Sequence, residues 1–366
     1  MNTQTFGFIG LGLIGGSIAR AIREKLPGSV IMAYDINEAS LNAALSDGVI
    51  DRGAASIDEQ FGQCDYLFLC APVQKNDDNL GIIKNILSPD CLLTDVGSVK
   101  TGIHEAIRAA GLEGQFIGGH PMAGSERVGY VNSKAILLEN AYYILTPCET
   151  VPEAKLAAYR ELVQTLGAIP LVLDCRKHDY ITAAISHLPH VIAAALVNLV
   201  RESDSADGTM KMVAAGGFKD ITRIASSSAQ MWQQICLTNT GNISALLDDY
   251  IQALSVIRKA LDSRDEKALY DFFDSARIYR DSFIGASSGP IKRVYNLTVD
   301  IMDEPGALAA IASILAQNQI SIKNIGIAHN RESENGVLKV EFYEEASIEK
   351  AAKLLAANGY AVYMKK

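Results

Sequence analysis

The chain has no cysteine pair at CxxC spacing and no Cys/His grouping at the intervals of a zinc site; Cys64, Cys70, Cys91, Cys148, Cys175 and Cys236 are scattered. No metal site or disulfide framework is expected, and reduced thiols in the cytoplasm are. Positive charge is also in deficit, with 33 Lys and Arg against 42 Asp and Glu and a net charge of -9 at pH 7. That balance excludes nucleic acid and an anionic membrane as main partners, while leaving room for a local basic pocket that holds a small anion. No internal repeat or low-complexity tract is visible. The first apolar run has no basic residues before it and passes, glycine-rich, into Arg20, Arg23 and Lys25, unlike a secretory leader. The last absence is local: Ile181 to Val200 carries no formal charge, long enough for a bilayer, yet contains Ser186, His187, Pro189, His190 and Asn198. A buried helix at a subunit interface is expected there, not a membrane span.

What is present is enough apolar material for a large core: 49% hydrophobic residues over 366 positions, to be divided among two or three domains. Residues 5 to 175 alternate helical patterns with short apolar runs at Phe6 to Ile9, Val30 to Tyr34, Tyr66 to Cys70, Leu92 to Asp95, Phe116 to Ile117, Tyr142 to Leu145 and Ile169 to Leu173. This rhythm predicts a mostly parallel α/β sheet in a first domain, 1–175. From Arg176 the pattern is helical without strands, as in Ala245, Leu246, Tyr250, Leu254, Ile257 and Leu261, giving an all-helical domain over 176–285. Residues 286–291 have linker composition. Over 292–366, strand patterns at Tyr295 to Ile301, Ser321 to Ile327, Gly336 to Phe342 and Tyr360 to Met364 enclose helical runs at Gly306 to Gln317 and Ser347 to Asn358. That βαββαβ order predicts a small ferredoxin-like domain.

Directly after the first strand stands Gly10-Leu-Gly12-Leu13-Ile14-Gly15-Gly16-Ser17, opening a helix through Ile18, Ala21 and Ile22. In a GxGxxG turn of this kind Gly10 permits the tight bend, Gly12 lets backbone approach a pyrophosphate, and Gly15 lets the helix pack closely. The next strand ends in Asp35, about twenty residues on, where a carboxylate accepts from ribose hydroxyls and repels a 2′-phosphate. NAD is therefore the expected cofactor, bound by Gly10, Gly12, Leu13, Ile14, Gly15 and Asp35; Arg20 and Arg52, nearby, are the residues that would favour NADP instead.

Three further polar motifs are more specific: Asp95-Val-Gly-Ser98-Val-Lys100, Gly118-Gly-His120-Pro-Met-Ala-Gly-Ser125-Glu126 and Gly216-Gly-Phe-Lys219-Asp220-Ile-Thr-Arg223. Together with His187-Leu-Pro-His190 and Trp232, they resemble the prephenate and arogenate dehydrogenases over about residues 5 to 285. The resemblance implies a Rossmann-type nucleotide-binding domain followed by a helical dimerisation domain in a homodimer, with the active site between them. It implies oxidative decarboxylation of prephenate with NAD as hydride acceptor, in tyrosine biosynthesis. His120 is then the acceptor of the C4 hydroxyl proton, a task suited to a neutral imidazole, and Ser98 bonds the same hydroxyl beside the nicotinamide. Arg223 clamps a substrate carboxylate through parallel hydrogen bonds, with His190, Ser125, Gly216 and Trp232 completing the substrate site. Glu126, Lys219 and Asp220 are charged groups near the pocket mouth with no catalytic role. His187 reads as a core hydrogen-bonding group, and His178-Asp179 as structural. No third ligand accompanies His187 and His190, so no metal is expected.

Residues from about Lys292 to Lys366 resemble an ACT domain, with Asp303-Glu-Pro-Gly306-Ala-Leu308 at the first strand-to-helix turn and Asn324 on the second strand. The resemblance implies an amino-acid effector, tyrosine first, held by Asp303, Gly306 and Asn324. Two other functions fit some of the same features: arogenate dehydrogenase, which the quoted residue types do not separate, and a non-catalytic sensor of NAD and an amino acid, against which the Ser98, His120 and Arg223 set speaks.

Overall fold

The computed structural model describes residues 3–124, 127–285, 295–302, 304–328 and 335–364; Ser125, Glu126, Asp303 and the 286–291 linker lie outside them. The chain forms two compact units, Met1–Arg264 and Asp265–Lys366.

The first unit opens on five strands, β1 (Thr5–Ile9), β2 (Val30–Tyr34), β3 (Arg52–Ala54), β4 (Tyr66–Leu69) and β5 (Leu92–Asp95), in the order β3-β2-β1-β4-β5. All neighbours are parallel. The inner strands are apolar along their length because both faces are covered, β4 and β5 being buried at every residue. β3 has no apolar run, and its pairing was not legible in the sequence. The strand order reverses between β1 and β4, and a ligand crevice belongs outside the carboxyl ends of strands at such a switch.

Beyond β5 a second sheet holds β6 (Ile117–Pro121), β7 (Tyr142–Pro147) and β8 (Ile169–Val172), joined to the first through a parallel bridge between Leu93 and Phe116. β6 and β7 are antiparallel, so the sheet is parallel except at this step. The excursion between them folds back onto the helix Leu13–Lys25. A side chain at Gly16 would meet Ser133 Oγ and Tyr130 at 2.8 Å, which explains the fourth glycine of the fingerprint.

A continuous helix then runs from Cys175 to Ser203, begun by Asp174, whose carboxylate accepts from the backbone N–H groups of Arg176 and Lys177. Its middle, Ala183–His187, is a π-turn. Pro189 follows two residues later; it donates no N–H, its ring crowds the carbonyl four residues back, and the wider turn relieves both problems. This helix is long and apolar enough to cross a membrane by composition, yet only 22% of its most apolar window is buried. The expectation placed this helix at a subunit interface; in the single chain Ile185 and Leu199 are exposed. Further helices, Gly216–Thr222, Ala229–Thr238 and Thr240–Asp262, complete the unit.

The second unit begins with the helix Glu266–Gly285 and continues as β9 (Tyr295–Met302), helix Ala307–Gln317, β10 (Ile322–Ala328), β11 (Asn335–Phe342), helix Glu345–Ala357 and β12 (Val362–Met364). The antiparallel sheet has the order β10-β11-β9-β12. One sheet face packs Leu297, Val299, Leu338 and Val340 against Ile311, Leu315 and Leu355 of the two flanking helices, giving the βαββαβ core expected from the strand spacing.

Candidate active site

The glycine turn sits at the switch point. Gly10 has φ of +96°, and a side chain there would strike the backbone of Cys70 and Ala71 at 2.7 Å; at Gly15 it would strike Gly10 O at the same distance. At Gly12 a Cβ would meet nothing within 4 Å, so the backbone faces open space where a diphosphate can approach. No side chain caps the helix that follows, leaving the first-turn N–H groups of Leu13, Ile14 and Gly15 for an anion. Asp35 accepts from Leu11 N at 2.6 Å and Asn37 N at 2.8 Å, which orients its carboxylate at the end of β2 and leaves lone pairs over. Arg20 is committed elsewhere: it bonds Ser133 and Asp47 and stacks over the Tyr130 ring. Arg52 is in register with Met32, three residues before Asp35 along the sheet. The cradle therefore fits a dinucleotide without a 2′-phosphate.

On the neighbouring side, β5 and β6 position Ser98 and His120. Asp95 ends β5, and its carboxylate binds Lys100 Nζ, Gly97 N and Gly119 N. Lys100 also donates to Gly119 O at 2.7 Å and is wholly buried. The loop carrying Ser98 is thereby tied to the strand carrying His120 by one buried ion pair. Desolvation lowers the Lys100 pKa, opposed by the nearby Asp95 and Asp179 carboxylates.

His120 lies on β6, and its Nδ1 meets His178 Nε2 at 2.8 Å. His178 Nδ1 in turn meets Asp179 Oδ1 at 2.8 Å. Asp179 is the hub: it also accepts from Lys100 N, Thr101 N and Thr101 Oγ1. Burial opposes its ionisation, but the hydrogen bonds from His178, Thr101 and the two backbone groups outweigh burial and hold its carboxyl below the usual range. Desolvation, with the neighbouring His178, Lys100 and His187, pushes His120 well below the ordinary histidine value, so its imidazole is neutral at pH 7. His178 and Asp179, read from the sequence as structural, are thus in direct line with His120. The available signal was their position just before the long uncharged run, which says nothing about a partner 58 residues away.

The π-turn brings His187 and His190 to the other side of the same site. His187 is buried and its Nδ1 accepts from Asn239 Nδ2 at 3.2 Å, in accord with a core role; desolvation lowers its pKa to about 4. His190 donates from Nδ1 to Ser186 O and stacks on Trp232, with ring centroids 3.7 Å apart and planes 23° apart. Desolvation lowers its pKa, and the Arg223 guanidinium lowers it further. Trp232 Nε1 is buried without a hydrogen-bond partner. His190, Trp232 and Arg223 therefore assemble into one wall, and Gly216 starts the short helix that leads to Arg223. In the second unit, Gly306 (φ +96°) caps the helix Ala307–Gln317 and Asn324 sits on the edge strand β10 at a register shift. Among the described residues no cluster of His, Cys, Asp or Glu could hold a metal.

A dinucleotide cradle beside a neutral imidazole defines a dehydrogenase that takes a hydride from an alcohol carbon. The family model described as prephenate dehydrogenase, nucleotide-binding domain, matches residues 18–171, and the one described as prephenate dehydrogenase, dimerization domain, matches residues 174–275. The prephenate dehydrogenase of Bacillus subtilis (strain 168) is 38% identical over 97% of this chain and 96% of its own. Among solved structures, the prephenate dehydrogenase of A. aeolicus in complex with hydroxyphenyl propionate and NAD+ has a TM-score of 0.73 at 31% identity, covering 77% of this chain and 99% of that one. Synechocystis arogenate dehydrogenase has a TM-score of 0.69 at 29% identity, covering 77% and 100%. The chain belongs to the prephenate dehydrogenase family.

Proposed function

We propose that the protein is an NAD-dependent prephenate dehydrogenase, forming 4-hydroxyphenylpyruvate and carbon dioxide. The observation that carries this reading is the hydrogen-bonded line from Asp179 through His178 to His120, beside a dinucleotide cradle, in a chain of this family. The backbone at Gly10, Gly12 and Gly15 and the Asp35 carboxylate would hold NAD, which would supply the acceptor for the hydride on C4 of the substrate ring. As the hydride leaves, His120 accepts the proton of the C4 hydroxyl, and Ser98 holds that hydroxyl by a further hydrogen bond. The ring carboxylate then departs as carbon dioxide; the electron pair of its C–C bond makes the ring aromatic, and His120 returns the proton to the phenolic oxygen. No net proton is released, so the base needs only to hold one briefly. Arg223 clamps a carboxylate of the substrate, and His190, Trp232 and Gly216 shape the remaining wall, with Ser125 a further substrate contact by family resemblance.

The test is growth of NADH absorbance with prephenate and with arogenate, each with NAD and with NADP. Prephenate with NAD is expected to give the highest kcat/KM. Preference for arogenate would reassign the substrate, comparable efficiency with NADP would overturn the role of Asp35, and absence of reduction in all four would leave the sensor reading.

The exposed apolar face of the helix Cys175–Ser203, within the matched dimerization domain, supports a homodimer in which a second copy covers that face. Six free cysteines fit a cytoplasmic enzyme. The βαββαβ core supports an ACT regulatory module that binds an aromatic amino acid, tyrosine first, through Gly306, Asn324 and Asp303. A chain ending near Ser288 should then keep dehydrogenase activity and lose inhibition that acts through this module; an unchanged response to tyrosine would place the inhibitor in the active site.

A further inference from the structure

The line of three buried groups behind the substrate site has a direction fixed by hydrogen-bond chemistry. Asp179 is ionised and can only accept, so the proton between Asp179 Oδ1 and His178 belongs to Nδ1 of the histidine. With its proton on Nδ1, the His178 ring carries its lone pair on Nε2. The 2.8 Å contact from that nitrogen to His120 Nδ1 requires a proton on the His120 side. With Nδ1 protonated, a neutral His120 has its lone pair on Nε2 and nowhere else. Asp179 is itself held by three donors besides His178, at Lys100 N, Thr101 N and Thr101 Oγ1, so it cannot turn away.

We propose that Asp179 and His178 are positioning residues that lock His120 in the Nδ1–H tautomer, keeping its Nε2 free to accept the substrate proton and sharing the positive charge once it does. The inference rests on the dehydrogenase reading for its second half only; the tautomer lock is a property of the free protein. When Nε2 takes the hydroxyl proton, the Nδ1 proton of His120 can move toward His178 Nε2, placing the charge beside the Asp179 carboxylate. The movement reverses when the proton returns to the phenolic oxygen, so atoms and charge balance over the cycle. Other charged or titratable groups around the line are Lys100, from the segment after β5, with its partner Asp95; His104, on the helix after Lys100, and Cys175, at the start of the His178 helix, which both feel the Asp179 carboxylate; and His187 on the same helix as His178. The His187 imidazole is neutral at pH 7, and the Lys100 charge opposes full protonation of His120, which favours spreading the charge toward Asp179.

Two variants of the full-length protein test both halves. Asp179→Asn can turn its amide N–H₂ to His178 while its oxygen stays on Thr101 N and Oγ1, at the cost of the Lys100 N contact; that orientation reverses each donor in turn and puts the His120 proton on Nε2, where it blocks the base. Imidazole 15N shifts of the unliganded protein should report His120 protonated on Nδ1 in the wild type and on Nε2 in this variant. With prephenate and NAD, kcat should fall roughly 10²- to 10⁴-fold while the Kd for NAD stays within about threefold. His178→Gln offers an amide oxygen to His120 Nδ1 but cannot carry a proton; the His120 tautomer should survive, with kcat reduced about tenfold and the acid limb of kcat/KM displaced. A wild-type His120 protonated on Nε2 would overturn the lock, whether or not prephenate is the substrate. Wild-type kcat and pH profile in His178→Gln would overturn the sharing of charge. If Asp179→Asn does not fold, the wild-type 15N shifts and the glutamine variant still decide both halves.

Discussion

Around His120 the polar side chains are sealed and paired: Lys100, His178 and Asp179 are almost fully buried and each has defined partners. Around Arg223 the wall is looser; Ile221 is 60% exposed, Gly216 is exposed, and the buried Trp232 Nε1 has no partner. The two sides differ in when their interactions are completed. On the first, orientation is settled during folding, so no reorganisation remains for the reaction step. On the second, the buried Trp232 Nε1 is left without a partner, and a ligand can supply what is missing.

Substitution on the sealed side should act on turnover. His120→Asn is expected to lower kcat about 10²- to 10⁴-fold with little change in NAD affinity, since it removes a group that matters chiefly in the transition state. Near-normal turnover would show that the base lies elsewhere and dissolve the contrast. Lys100→Met should act on stability, because it strands the buried Asp95 carboxylate; a loss of about 3–5 kcal/mol in denaturant unfolding is expected. A variant as stable as the wild type would mean that the pair is not what holds the Ser98 loop to β6.

On the open side the expected signature is a change in KM. Arg223→Ala should raise the KM for prephenate roughly 10- to 100-fold, the worth of a charge-assisted bidentate contact, with a smaller effect on kcat. Equal loss in kcat would move Arg223 into the sealed group. A further prediction concerns His187, which lies between the two sides and is held neutral in the fold, with a pKa of about 4 against about 6.5 when unfolded. Because the unfolded chain binds the extra proton first, the wild type loses stability as pH falls from about 6.5 toward 4. His187→Leu lacks that proton uptake, so the stability difference between wild type and variant should shrink over this window; a pH-independent difference would show that His187 titrates normally.

The glycine turn was legible in the sequence because close backbone packing leaves no choice of residue: Gly10, Gly15 and Gly16 each adjoin atoms that a side chain would strike. Ser98, His120 and Arg223 were singled out through their motifs. The sequence did not display what stands behind them. His178 reaches His120 only after β7 and β8 have been laid beside β6, and no local pattern carries that information. β3 escaped notice for a different reason: three edge residues, two of them exposed, need no apolar alternation. In the second unit alternation along β9 and β11 was clear, whereas Asp303, on which part of the effector reading rests, lies outside the described residues.

The π-turn at Ala183–His187 sets the phase of everything after it. Each residue of a helix turns its successors by about 100°, so the wider turn works as an angular offset between the part that carries His178 and the part that carries His190. Removing one residue there and closing the turn to a regular helix would leave His178 aligned with His120 while rotating His190 off the Trp232 ring. Chain length within this stretch is therefore as much a constraint on the site as the identity of its side chains, and an alignment that places a gap between Thr182 and His190 would pair residues facing different directions.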